Sequence, residues 1–180
     1  MKSKSYSAFT LVEMLVVMGI LIILMSMSVV GGRFALQRAN RIKHQNAADQ
    51  VYVALQSYYA DNREYPSVAD LPSNNMSGLM NALSDYTDNG AWDGGSDATY
   101  YYIVDPTQQY VLVCVSLGGY NDESEQGWYC NGNGFGALPS GSNPIRNSYL
   151  SHTDGAAIFT AWPTTNGLKG NWNSTTRSWQ

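Results

Sequence analysis

Few residues in this 180-residue chain are placed to do chemistry, and the most conspicuous is a carboxylate in an apolar setting. Residues 9–30 read FTLVEMLVVMGILIILMSMSVV, and Glu13 is the single charge among them. A carboxylate within such a stretch costs roughly 2.5–3.5 kcal/mol on membrane-insertion scales, so it marks a functional position by default. Cys114 and Cys130 enclose fifteen residues, Val115 to Tyr129. In an exported domain an even cysteine count reads as a disulfide, and in a cytosolic one as two buried thiols. A Cys-x-x-Cys redox pattern is absent. His44 and His152 show no spacing that makes a catalytic triad or a metal site, and His44 is expected to be solvated on a helix. Asp85, Asp88, Asp93 and Asp97 with Asn89 offer oxygen ligands for a hard cation, without EF-hand spacing, and read as solvated loop acids. Nucleophile-elbow, P-loop and dinucleotide patterns are missing, so neither catalysis nor a cofactor or metal site is expected.

The elements that must position these residues follow from patterning. All six prolines fall after residue 65, which permits one helix from about Phe9 to about Ala60, roughly 78 Å long. Its first 22 residues would rise about 33 Å, enough for a bilayer core of about 30 Å. Beyond them a stripe of Ala35, Ala39, Ile42, Ala47 or Ala48, Val51, Leu55 and Tyr58 predicts an amphipathic half lying on a sheet. Gly31-Gly32 sits at the junction and is the weak point of the helix. Pro66 ends it. A short helix is expected over Met76–Leu83, and strands over Tyr100–Val104, Tyr110–Val115 and Gln126–Cys130. The turn-like Asp105-Pro106-Thr107-Gln108-Gln109 separates the first two strands. From Gly132 the chain is rich in Gly, Asn, Ser and Thr and reads as an irregular β-rich extension covering the domain; the alternatives for its Trp162, Trp172 and Trp179 are a glycan-binding face or an extended tail packed between subunits.

Charge is divided unevenly. The chain carries a net −4, but residues 33–60 hold Arg33, Arg38, Arg41 and Lys43 against Asp49, while residues 61–180 carry a net −8. An acidic C-terminal two-thirds argues against nucleic acid as a partner, because phosphate binding needs clustered cations. The basic group reads as a juxtamembrane solvated face, or as a band that meets the acidic domain of a neighbouring copy.

Three readings of the N-terminus compete on these grounds. It can be a secretory signal, with Lys2–Lys4, an apolar core Met14–Met25 and a small-x-small site at Ser26-Met27-Ser28. It can be an ordinary single-span anchor. Neither explains Glu13. The order Ala8-Phe9-Thr10-Leu11-Val12-Glu13, following Lys2 and Lys4 and leading into the apolar run, closely resembles the class III signal of type IV pilins and pseudopilins. Tyr59-Ala60-Asp61-Asn62 with Tyr65-Pro66 resembles the helix exit common in the same family.

The resemblance implies an α+β fold: one long N-terminal helix, transmembrane and then amphipathic, packed on a small antiparallel sheet. It implies a leader peptide over 1–8, an assembly half-helix over 9–32, and a soluble domain over 33–180 made of the half-helix 33–60 and a head over 61–180. It implies cleavage between Ala8 and Phe9, where the family's usual residue before the cut is Gly, then methylation of Phe9, and Glu13 in the position that pairs with the new amine. The implied partners are other copies of the chain in a helical homopolymer, a prepilin peptidase, an assembly ATPase and its membrane platform. Expected localisation is the membrane before assembly and the cell surface afterwards. The expected role is a non-enzymatic filament subunit. The alternatives are a pseudopilin or minor pilin of a secretion or DNA-uptake system, and a secreted or anchored β-rich binding module.

Overall fold

The computed structural model describes residues 10–87, 92, 94–134, 145–161 and 166–180. Compact units comprise Met1–Ala39 and Asn40–Gln180. Helix α1 runs from Leu11 to Asn62 and contributes to both, without a break in helical hydrogen bonding at Gly31-Gly32.

In the second unit, α1 presents His44, Ala47, Ala48, Val51, Ala54 and Leu55 to the core. The small alanines let the helix lie close to the sheet. The observed buried stripe begins at His44. Ala35 and Ala39 are exposed and Ile42 is 47% exposed. At 100° per residue these three fall on the side of the helix opposite Val51, which corrects the continuous stripe expected from Ala35 onward. His44 is also corrected. It is 1% exposed, with Nε2 2.9 Å from the Ser96 hydroxyl and 3.2 Å from the Ser96 carbonyl.

Helix α2 (Met76–Ala82) is capped by Asn75, whose side-chain oxygen accepts from the Gly78 amide at 2.9 Å. Strands β1 (Ala98–Val104), β2 (Val111–Ser116) and β3 (Trp128–Gly132) correspond to the three expected strands. Between β1 and β2, the Asp105 carboxylate accepts from the amides of Thr107, Gln109 and Tyr110, which closes the turn. Three further strands follow: β4 (Ser148–Leu150), β5 (Gly167–Asn173) and β6 (Ser178–Trp179), with helix α3 (His152–Ala161) between β4 and β5. The sheet is six-stranded and antiparallel throughout, in the order β4-β3-β2-β1-β5-β6.

The segment after Gly132, expected as an irregular β-rich extension, supplies half the described strands and is more regular than expected, with β5 pairing directly with β1. Leu168, Gly170 and Trp172 alternate inward along β5, but the glycine at the middle position conceals the period of two. A Cβ at position 170 would collide with Met76, so the glycine is what lets α2 lie against β5.

Strand alternation gives the sheet two buried faces. Tyr100, Tyr102, Val113, Val115 and Tyr129 join the α1 residues in the main core. Ile103, Leu112, Cys114, Trp128 and Cys130 point the other way, where Ile158 and Phe159 of α3 cover them. Trp172 and Trp179 belong to an aromatic cluster with Trp92 and Tyr100, with ring centroids 4.6–5.3 Å apart for the Trp92–Trp172, Trp92–Trp179 and Tyr100–Trp179 pairs. They are packing residues, as an extension that covers the domain requires, and do not form a glycan-binding face; Trp162 lies outside the described residues.

Candidate functional site: the N-terminal helix

Every described side chain from Thr10 to Ala39 is exposed. Large apolar residues from Leu11 to Met27 are each at least 46% exposed, and they occupy all sides of the helix. A helix apolar all round is stable only when something apolar surrounds it. At roughly 1.5–3 kcal/mol for each side chain fully removed from water, covering this surface is worth some tens of kcal/mol. The stretch is long and apolar enough to cross a membrane.

Polar groups within it are already satisfied along the helix. The Ser26 hydroxyl donates to the Ile23 carbonyl at 2.8 Å, and the Ser28 hydroxyl donates to the Leu24 carbonyl at 2.8 Å. This lowers the cost of placing both serines in hydrocarbon. It also gives Ser26 and Ser28 a helical role, which their reading as a cleavage site does not use.

Glu13 stands in the first turn. Its amide donates to the Thr10 hydroxyl oxygen at 3.3 Å, while its Oε2 lies 3.4 Å from the Thr10 amide and 3.3 Å from the Thr10 hydroxyl. This is a capping box, in which N-cap and third residue satisfy each other's orphan amides. A carboxylate there is also favoured by the positive end of the helix dipole. The Thr-x-x-Glu spacing that encodes the box is plain in the sequence, yet the apolar run and the glutamate draw attention away from Thr10. Ala8 and Phe9, the expected cleavage and methylation positions, lie outside the described residues.

The second unit places the other candidate residues in structural roles. Cys114 and Cys130 sit opposite each other in the β2–β3 register and are joined by a disulfide. His152 pairs with Asp122: its Nδ1 lies 2.9 Å from the Asp122 carboxylate, which also accepts from the amides of Gln126 and Gly127. The fully buried Asp122 thus ties the loop after β2 to the start of α3. Burial lowers the pKa of His44, with Lys43 adding to the effect and hydrogen bonds to Ser96 and Ser116 opposing it. Of the loop acids, Asp97 accepts from the Ser174 amide and hydroxyl at 2.8 Å, and these bonds hold its pKa below the usual range. Asp88, Asn89 and Asp93 lie outside the described residues, and no group of three potential metal ligands occurs among the described residues.

Residues 3–29 match the family model of the prokaryotic N-terminal methylation motif. The chain therefore carries the class III signal that type IV pilins and pseudopilins share. Together with a long N-terminal helix on an antiparallel sheet, the motif supports a type IV pilin-like protein. Comparisons with curated proteins and with solved structures find no match.

Proposed function

We propose that this chain is a structural subunit of a type IV pilus or related filament, polymerising through the apolar half of α1 once a leader has been removed between Ala8 and Phe9. The observation that carries this reading is the exposed, all-round apolar helix with Glu13 at its start, within the matched methylation motif. Before assembly, a bilayer covers that surface; after assembly, the same surface of other copies does. The role is structural rather than enzymatic. The partners are a prepilin peptidase, an assembly ATPase with its platform, and the chain itself.

In this reading cleavage creates an ammonium on Phe9 at the edge of a low-dielectric environment. An unpaired charge there is expensive, and a carboxylate from a neighbouring subunit offsets it while fixing axial register. The capping box holds Glu13 close to the helix start, where an incoming amine can reach it. Glu13→Gln keeps the size and hydrogen-bonding capacity but removes the charge. Sheared surface filaments should fall at least about tenfold, with the membrane level of processed subunit unchanged. Native filament yield from E13Q would overturn the pairing role.

A further inference from the structure

The soluble part of the chain is electrostatically polar along α1. At one end, Arg41 and Lys43 are exposed. At the other end lie exposed Asp61 and Glu64, with Arg63 the opposing charge. Exposed Asp85 adds to the acidic end. Its neighbour Tyr86 packs edge-on to Tyr58 at 5.6 Å, and the Tyr86 hydroxyl lies 3.5 Å from the Asn62 amide nitrogen. Arg41 and Asp61 are twenty positions apart on one helix, a separation of about 30 Å. That distance prevents the two ends from pairing within the chain.

Among the described residues, neither end forms an ion pair within the chain. His152–Asp122 is the ion pair found among the described residues. Arg41 lies 5.4 Å from the Tyr149 ring centroid, and no carboxylate pairs with it among the described residues. Several other carboxylates are already committed: Asp49 to Tyr129 and Asn131, Asp97 to Ser174, and Asp122 to its loop. Asp61 interacts with the Tyr86 hydroxyl, and none of Asp61, Glu64 and Asp85 pairs with a cation among the described residues.

We infer that the basic collar of α1 is a docking surface for the Asp61–Glu64–Asp85 end of another copy of this chain, offset along the helix axis by about 30 Å. This deepens the filament reading and rests on it. Opposite charges at the two ends of one rigid element make a heterologous, head-to-tail contact that does not close on itself. Surface charges of this kind set register and suppress misaligned encounters more than they add affinity. The joint should also weaken as salt shortens the screening length.

The test is a charge swap in the full-length protein expressed in its assembling host, read as sheared filament against total membrane-held subunit. Arg41→Glu with Lys43→Glu should lower filament yield about tenfold, and so should Asp61→Lys with Glu64→Lys; the four changes together should restore at least half the native yield. Yields unaffected by either pair, or a combination no better than its halves, would overturn the proposal. So would collar variants that lose membrane retention of the subunit, since the collar would then serve lipid. A second readout does not depend on charge reversal. Native filaments carrying both Lys43→Cys and Glu64→Cys should give a ladder of multimers with a short bismaleimide, whereas either cysteine alone should not. Absence of a ladder in intact filaments contradicts the contact. Absence of filaments from the unmutated chain instead contradicts the polymer reading beneath it.

Discussion

Removing the Cys114–Cys130 disulfide is the perturbation whose size follows most directly from the fold. The two cysteines are fully buried, and they face each other across β2 and β3 on the side of the sheet covered by α3. They are sixteen positions apart, so the bond removes the freedom of a loop of that size from the unfolded chain. On the loop-entropy account this is worth about 3 kcal/mol. Alanine is the better replacement, because serine would bury two hydroxyls among Ile103, Leu112, Ile145 and Ile158. For a folded unit of this size, about 3 kcal/mol lowers the thermal midpoint by roughly 10 °C. The assay is thermal unfolding of the full chain in mild detergent, comparing C114A/C130A with the native protein by tryptophan fluorescence and near-ultraviolet dichroism. Trp128 lies in the same cluster as the bond, so its signal reports on this side of the sheet. Hydrogen exchange should show the loss first in β3 and β4, the strands at that edge. A midpoint shift below about 2 °C would refute the reasoning, because the bond would then be adding little to a loop already closed by Asp122.

Other outcomes follow from the same packing. Gly155→Ala would place a methyl group on the Trp128 ring, so α3 must shift from the sheet; a loss of about 1–3 kcal/mol is expected in denaturant unfolding, and an unchanged midpoint would contradict the contact. His44 is held neutral by burial, with its pKa lowered from 6.5. The unfolded chain therefore binds the proton more readily, and the stability this group contributes is present above pH 6.5 and lost as pH falls towards its folded value. The thermal midpoint should drop between pH 7.5 and pH 5, with a smaller drop in His44→Gln; equal drops in the two proteins would remove His44 from the explanation.

Legibility in the sequence was uneven, for physical reasons. The long helix, the first three strands and the disulfide rest on local signals: the absence of proline, runs of β-branched and aromatic residues bounded by a turn, and cysteine parity. The strands after Gly132 carry weaker ones. β4 is three residues long, β5 spends an inward position on Gly170, and α3 contains Gly155 where Trp128 needs room. Those glycines are required by contacts between elements distant in sequence, which no local window reports. The burial of His44 is hidden from the sequence for a related reason. A polar residue on a helix reads as solvated unless its partner is known, and Ser96 lies fifty-two positions away. At the N-terminus the reverse holds: Glu13 is legible because its surroundings are so uniformly apolar, and Thr10 escapes notice because a hydroxyl there looks ordinary.

Intact mass and N-terminal sequencing of the protein sheared from cell surfaces bear on the filament account most directly. It predicts a chain that begins at Phe9 and carries a methyl group on that amine, recovered in filaments. A surface or secreted chain beginning at Val29 would mean removal of an ordinary secretory signal together with the whole apolar half of α1, and the filament account would be contradicted.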